Sequence, residues 1–320
     1  MGGYKRLKDK LLDKLVFVLL FLVALFVGLL YPAVALFTLY GEARPALERF
    51  GLIGFITGTE WDPVRELFGA LPALTGTLIS TFLASLLAIP VCIGIAVFIS
   101  ELAPKALKPV FTTAVELLGA IPSIIYGLWG FFVVAPFMAE KVEPFLQELL
   151  LGLPVLGRLV DGVPTGIDVL TSSLVLSIMI IPFMATIVKD AFEMTPRLLK
   201  EAGYGLGATK WEVIKDVVIP YAFPGIVGGA VLSVGRALGE TMAVAFLTGN
   251  VHQIPRSLLD QFTTITVAIA NEFTEADTEL YLSSLYGLAL ILFVMSFTLL
   301  ALSKFLLFKR LEKRWAVKGL

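Results

Sequence analysis

The sequence predicts an all-α polytopic membrane protein with six transmembrane helices, and three observations carry that prediction. Hydrophobic residues make up 58% of the 320 residues and charged residues only 16%; mean hydropathy is +0.90. These values place the chain in lipid rather than water. Lipid offers the backbone no hydrogen bonds, so a spanning chain is either helical or a closed barrel. The apolar runs are long and unbroken rather than short and alternating, which selects helices. The formal net charge of −1 gives no electrostatic basis for a nucleic-acid partner.

Six runs are long enough to cross about 30 Å of hydrocarbon: residues 15–40, 74–100, 109–137, 167–191, 223–249 and 281–308. The first follows a basic stretch, residues 1–14, and contains a small-x-small Ala33-Val34-Ala35. Apolarity continues beyond that site, and the run exceeds the core of a signal peptide, about 7–15 residues, so an uncleaved anchor helix is expected. The second, third and fourth runs contain Pro90, Pro122 and Pro182, and each is expected to be broken there. Lipid tolerates such breaks where neighbouring helices or a cavity satisfy the freed backbone groups, so the spans read as a bundle around a path.

Lys and Arg set the expected orientation. Lys5, Arg6, Lys8, Lys10 and Lys14, then Lys105 and Lys108, then Lys189, Arg197, Lys200, Lys210 and Lys215, and finally Lys304, Lys309, Arg310, Lys313, Arg314 and Lys318 fall in segments on one side. The other side holds only Arg44, Arg49, Arg65, Lys141, Arg158 and Arg256. Positive residues stay inside, which makes both termini cytoplasmic and residues 41–73, 138–166 and 250–280 external loops. Cys92, alone in an apolar run, excludes an intramolecular disulfide and reads as a buried filler. The lone His252 reads as a polar loop residue, and no metal site is expected.

Between the fourth and fifth runs lies MTPRLLKEAGYGLGATKWEVIKDVVIPYAFPG. Thr195 is placed to cap a helix beginning at Pro196, and the glycines at 203, 205 and 207 to end it. Thr209-Lys210-Trp211-Glu212 has the spacing of a capping box and opens a second short helix, expected to stop at Pro220. The segment 203–208 brushes against a dinucleotide fingerprint, but no strand precedes it, and no P-loop occurs elsewhere in the chain.

This loop resembles the coupling loop of bacterial ABC-importer permeases: E-A-A, three residues, G, nine residues, I-x-L-P. Here it reads Glu201-Ala202-Gly203, three residues to Gly207, then nine to Val217-Val218-Ile219-Pro220. Trp61–Leu78, Gly119–Gly130, Gly235–Val244 and Gly249–Ala276 resemble the phosphate-specific (Pst) branch and its C-type permease subunit. The resemblance implies a type I importer permease fold in the bacterial or archaeal inner membrane, with a transport core over residues 70–308, a coupling loop over 192–222 and a basic tail over 309–320. It also implies a homologous second permease, two ATPase subunits that bind ATP and magnesium, and an extracytoplasmic phosphate-binding protein. Coupling would run through Glu201, Ala202, Gly203, Gly207 and Pro220, and this chain would carry no catalysis or cofactor of its own.

The remaining puzzle is GRALGET, where Arg236 and Glu240 lie inside the fifth apolar run. Burying either charge costs several kcal/mol. On a continuous helix they are i, i+4 and share a face, so they are expected to pair. One reading is an ion pair that fixes helix register. The other is that Arg236 faces the path and offsets the desolvation of an oxyanion, with Glu240 holding it in place and Thr241 beside it. Guanidinium suits phosphate because it stays charged and presents a planar set of donors. Thr248 and the cluster Thr75, Thr77, Ser80 and Thr81 are weaker path candidates, because helix hydroxyls usually bond to their own backbone. Glu116 is a further candidate for contact with the partner permease. A permease for sulfate or molybdate fits the pair equally well, whereas a scaffold or receptor leaves the coupling-loop spacing unexplained, and no constellation for a membrane enzyme occurs.

Overall fold

The computed structural model describes residues 2–316, with side chains for residues 14–305. The basic side chains at the N-terminus before Lys14 and those of the tail 309–320 therefore lie outside what is described. Among the described residues there are six helical spans: Lys14–Phe50, Leu71–Leu102, Ser123–Leu150, Val169–Glu193, Lys210–Leu238 and Glu279–Phe305. Six crossings return the chain to the side on which it began. That side is called the near side below, and the opposite one the far side.

The fourth span is the axis of the bundle. Its most apolar stretch is 67% buried, against 0% for the first span, and the second span, the fifth span and the helix Lys108–Gly119 all pack along it. The second span achieves this with small side chains. Ala73, Gly76, Thr77, Ser80, Thr81, Ala84, Ser85, Ala88, Cys92 and Ala96 are buried, a three-and-four spacing that lets two backbones approach in the absence of a hydrophobic driving force. Cys92 is a buried filler as expected, its thiol 3.4 Å from the Ile181 carbonyl. The first span packs on the sixth, and a second core of Phe55, Trp61, Phe68, Tyr281, Leu285 and Leu288 lies where they meet.

Proline shapes these helices in two ways. Widened π turns at Phe26–Leu30, Phe98–Leu102, Gly130–Val134, Met138–Val142 and Ile214–Val218 each end two residues before a proline: Pro32, Pro104, Pro136, Pro144 and Pro220. A proline lacks the N–H for the regular bond and crowds the carbonyl four residues back, and an extra residue in the preceding turn relieves both problems. Pro45, Pro90, Pro182 and Pro224 instead sit inside continuous helix.

Four expectations are corrected accordingly. Pro90 and Pro182 do not break their helices; only Pro122 does, splitting the third crossing into Lys108–Gly119 and a stretch from Ser123. The first helix continues through the expected loop start to Phe50 and ends at Gly51, whose φ is 70°. Pro220 does not stop the helix that opens at Lys210: the π turn before it carries the helix on to Leu238. The fifth crossing is not one helix over 223–249, because it ends at Leu238 and is followed by the short helix Met242–Ala245.

Candidate site at the broken third and fifth crossings

The break in the fifth crossing separates the two charges expected to pair. Helix Ile219–Leu238 ends at Gly239, and beyond it the Glu240 carboxylate accepts the Ala243 N–H at 3.1 Å. Its negative charge thus caps the short helix Met242–Ala245, where it meets the positive end of the helix dipole. Among the described ion pairs there is none between Arg236 and Glu240. The i, i+4 geometry does not exist because the helix ends between the two residues.

Arg236 instead places its guanidinium 5.4 Å from the centre of the Phe183 ring, a cation–π distance. Phe183 is in the continuous fourth span, Val169–Glu193, about 21 Å from one end and about 15 Å from the other at 1.5 Å per residue. The guanidinium therefore lies beside the middle part of the fourth span. The side chain is exposed on this chain. A permanent cation at that depth faces a watery path or another protein surface, since exposure to lipid costs several kcal/mol.

Three segments of irregular or interrupted backbone converge at the break that follows Leu238. The short helix Met242–Ala245 packs on Ser123–Trp129, the helix that follows the Pro122 break. Contact is backbone to backbone: a Cβ on Gly127 would stand 2.4 Å from the Met242 carbonyl oxygen, so only glycine fits. The Glu240 carbonyl, freed by the helix end, accepts the Thr266 hydroxyl at 2.7 Å. Thr266 is in the first turn of helix Ile265–Glu272, whose Ile265 N–H is bonded to Thr77 Oγ1 of the second span at 2.9 Å. Non-helical backbone at membrane depth is satisfied by neighbouring protein in this way and lines cavities or paths rather than lipid.

The remaining hydroxyl candidates divide. Thr75, Thr77 and Ser80 donate to their own helix at Leu71, Ala73 and Gly76, the back-bonding expected of them. The Thr81 and Thr248 hydroxyls are buried without a hydrogen-bond partner among the described residues. Thr241 is half-buried at the break itself, and Glu116 is exposed. An apolar cavity of about 600 Å³ between the first and sixth spans, lined by residues such as Leu36, Leu74 and Leu290, carries no charged lining residue and does not suit an anion.

The near-side loop has the expected two helices, with one change. Helix Arg197–Gly205 has Pro196 rather than Thr195 before its first residue, and the Thr195 hydroxyl is buried without a partner. The capping box is present: Thr209 Oγ1 accepts Glu212 N–H, and Glu212 returns to Thr209 N–H at 2.7 Å. Gly207 adopts φ +87°, left-handed backbone that turns the chain between the helices. Gly203 faces Val213 across the hairpin, which explains a small residue there. Glu201 and Ala202 are exposed, and Leu206 is 90% exposed at the tip.

Two polar clusters were missed from sequence. Glu272 accepts Trp61 Nε1–H at 2.7 Å and the Tyr281 hydroxyl at 2.7 Å, and meets His252 Nε2 at 2.5 Å. His252, expected as a plain loop residue, also stacks on Trp61. Burial alone would raise the Glu272 carboxyl, but the hydrogen bond and charge of His252, aided by Tyr281 and Trp61, hold it below the usual carboxylate range. Asp168 and Glu143, both 0% exposed, meet at the far end of the fourth span. Asp168 caps that span through Thr171 N–H at 2.8 Å, and burial followed by the neighbouring Glu143 pushes its carboxyl up to about 7. An Asp just before an apolar run is a helix-start signal readable in sequence; the pairings that join each cluster across elements, Trp61 with Glu272 and Glu143 with Asp168, lie far apart in the chain and carried no signal.

Comparison with known proteins is consistent with this architecture. The family model for the binding-protein-dependent transport system inner membrane component matches residues 88–317. The phosphate transport system permease protein PstC of Mesorhizobium japonicum is 50% identical over 286 residues, covering 89% of this chain and 87% of that one. The protein of the same name from Pasteurella multocida is 47% identical over 291 residues, covering 91% and 90%. A probable PstC from the archaeon Methanocaldococcus jannaschii is 36% identical over 292 residues, covering 89% and 91%. Among solved structures, a bacterial alginate ABC transporter in complex with its alginate-bound periplasmic protein has a chain that superposes with TM-score 0.57 at 17% identity, covering 92% of this chain and 94% of that one. An inward-facing MetNI methionine ABC transporter chain gives TM-score 0.55, also at 17%, covering 78% and 98%. The chain belongs to the family of binding-protein-dependent transport system inner membrane components, and within it to the phosphate transport permeases of the PstC type.

Proposed function

We propose that this chain is a permease subunit of an ATP-driven importer that moves inorganic phosphate inward. One observation carries the mechanism: a permanent cation beside the middle part of the fourth span, stacked on Phe183 rather than neutralised by a carboxylate, beside two broken crossings. Phosphate leaving water loses hydration that a guanidinium restores through short, charge-assisted hydrogen bonds. Phe183 holds the cation by its ring face without consuming its donors. Glu240, committed to the Ala243 N–H, keeps a negative charge nearby, which limits how tightly the anion is retained. The near side is then cytoplasmic, and the far-side loops face the phosphate-binding protein. Glu201, Ala202, Gly203 and Gly207 present the exposed tip to a separate ATPase, while Pro220 lies where that tip joins the fifth span. Two ATPase subunits and a homologous second permease complete the assembly, and the ATP and magnesium belong to the ATPases. The names of the PstC relatives favour phosphate over sulfate or molybdate.

The test is ATP hydrolysis in liposomes holding this chain with its candidate partner permease, ATPase and binding protein. Phosphate-stimulated hydrolysis that is lost in Glu201→Lys is the expected result. Stimulation by sulfate instead would overturn the substrate, and no stimulation by any oxyanion in an intact complex would overturn the importer reading.

A further inference from the structure

We propose that Lys200 and Glu101 form an ionic tether that makes the near-side loop helix move together with the second span, a positioning role that rests on the importer reading above. Lys200 is in helix Arg197–Gly205; Glu101 is 99 positions earlier, in the π turn that ends the second span. Lys200 Nζ lies 2.5 Å from Glu101 Oε1, and the two side chains are only 19% and 10% exposed. Lysine and glutamate are rarely so buried unless paired.

Without this pair the loop helix has little hold on the second span. By chain connection it hangs between the fourth and fifth spans, and it packs on Lys210–Val213 and Ile214–Val218 at the start of the fifth. A push on the loop from an ATPase would then reach the second span only indirectly, through the fourth and fifth spans. The tether extends that push to the second span, which packs along both the fourth and the fifth and whose Thr77 supports helix Ile265–Glu272 beneath the Glu240 carbonyl.

A second lysine extends the connection. Lys108 Nζ pairs with Glu193 at 2.9 Å, at the end of the fourth span, and lies 3.5 Å from the Ser100 carbonyl next to Glu101. The near-side ends of the second, third and fourth crossings and the loop helix are thus joined through two lysines. A largely buried ion pair generally adds little stability over a well-packed apolar pair, so stability alone gives small reason to keep charges here. A geometric link that holds the loop helix to the second span does.

The experiment uses the complete complex in liposomes and reads phosphate taken up per ATP hydrolysed, together with hydrogen exchange of residues 197–205. Lys200→Met and Glu101→Gln are expected to lower the uptake ratio at least tenfold and to speed exchange. Lys200→Arg, and the double exchange Lys200→Glu with Glu101→Lys, are expected to restore both within about twofold. Single variants with the original ratio and exchange would overturn the tether, as would a double exchange that assembles yet stays uncoupled. If the single variants fail to assemble, the double exchange alone decides. If the unaltered complex shows no phosphate-stimulated hydrolysis, the importer reading fails, and the exchange measurement still reports whether the two elements are joined.

Discussion

The Arg236 guanidinium stands over the Phe183 ring at 5.4 Å, while Glu240, four positions further on, turns away to hold the Ala243 N–H. A cation and a carboxylate close in sequence are thus given separate tasks by one helix end. Arg236 lies against an aromatic ring face, and Glu240 caps the short helix Met242–Ala245 that follows the break.

Arg236→Gln is expected to abolish phosphate uptake while the complex still assembles. A hydrogen bond to a charged group contributes about 1.5–3 kcal/mol, so uptake falls at least tenfold and the loss persists at saturating phosphate. Lysine in its place keeps a charge but loses the planar fork and is readily deprotonated when buried, so Arg236→Lys is expected to recover only a minor part. Radiolabelled phosphate uptake by vesicles, with complex amount measured in parallel, checks both; normal uptake by Arg236→Gln sinks the role.

Glu240→Gln and Glu240→Leu separate capping from charge pairing. Glutamine retains an oxygen that can accept the Ala243 N–H and is expected to cost little stability, whereas leucine loses the cap at about 1 kcal/mol. If Glu240 instead served as the counter-ion of Arg236, the two variants would be equally impaired. Thermal midpoints of the purified complex decide between these outcomes.

Gly127→Ala is expected to disable transport although the residue carries no chemistry. The added Cβ would meet the Met242 carbonyl oxygen at 2.4 Å, so either the Ser123–Trp129 helix or the short helix 242–245 must shift. Overpacking of this kind costs about 1–3 kcal/mol, and the displaced segment is the one next to Arg236. Gly94→Ala, at a glycine with nothing within 4 Å of the added atom, is the control expected to behave as the parent chain.

The Asp168 carboxyl predicts a pH dependence of stability with a definite sign. Its folded value, about 7, stands above the ordinary 3.8 because of burial and Glu143. Its folded form therefore holds a proton that the unfolded chain gives up. That contribution is fully present below pH 3.8 and is lost as pH rises through about 7, an effect on the order of a few kcal/mol. Asp168→Asn keeps the cap to Thr171 and removes the titration. Its thermal midpoint is expected to change less between pH 6 and pH 8 than that of the parent chain; an identical slope in both would count against the raised Asp168 carboxyl.

The number of crossings, the membrane class and the loop hairpin were legible in the sequence, because each depends on local chemistry. Lipid forces every long apolar run into helix, the Thr209–Glu212 box closes over one turn, and Gly207 supplies the left-handed turn at its own position. Thr75 and Ser80 bond only within their helix, so they too could be read correctly, whereas Thr77 also accepts the Ile265 N–H of a distant helix. What sequence alone could not decide was which glycine or proline ends a helix. Pro122 breaks its crossing whereas Pro90 and Pro182 do not, and Gly239 ends a helix that Gly235 passes through. The difference lies in what stands beside the freed groups: Thr266 is there to take the Glu240 carbonyl, and Gly127 makes room for the helix that follows. Only the tertiary structure places those partners, and in lipid a backbone group without a partner costs more than the regular helix it would have to leave.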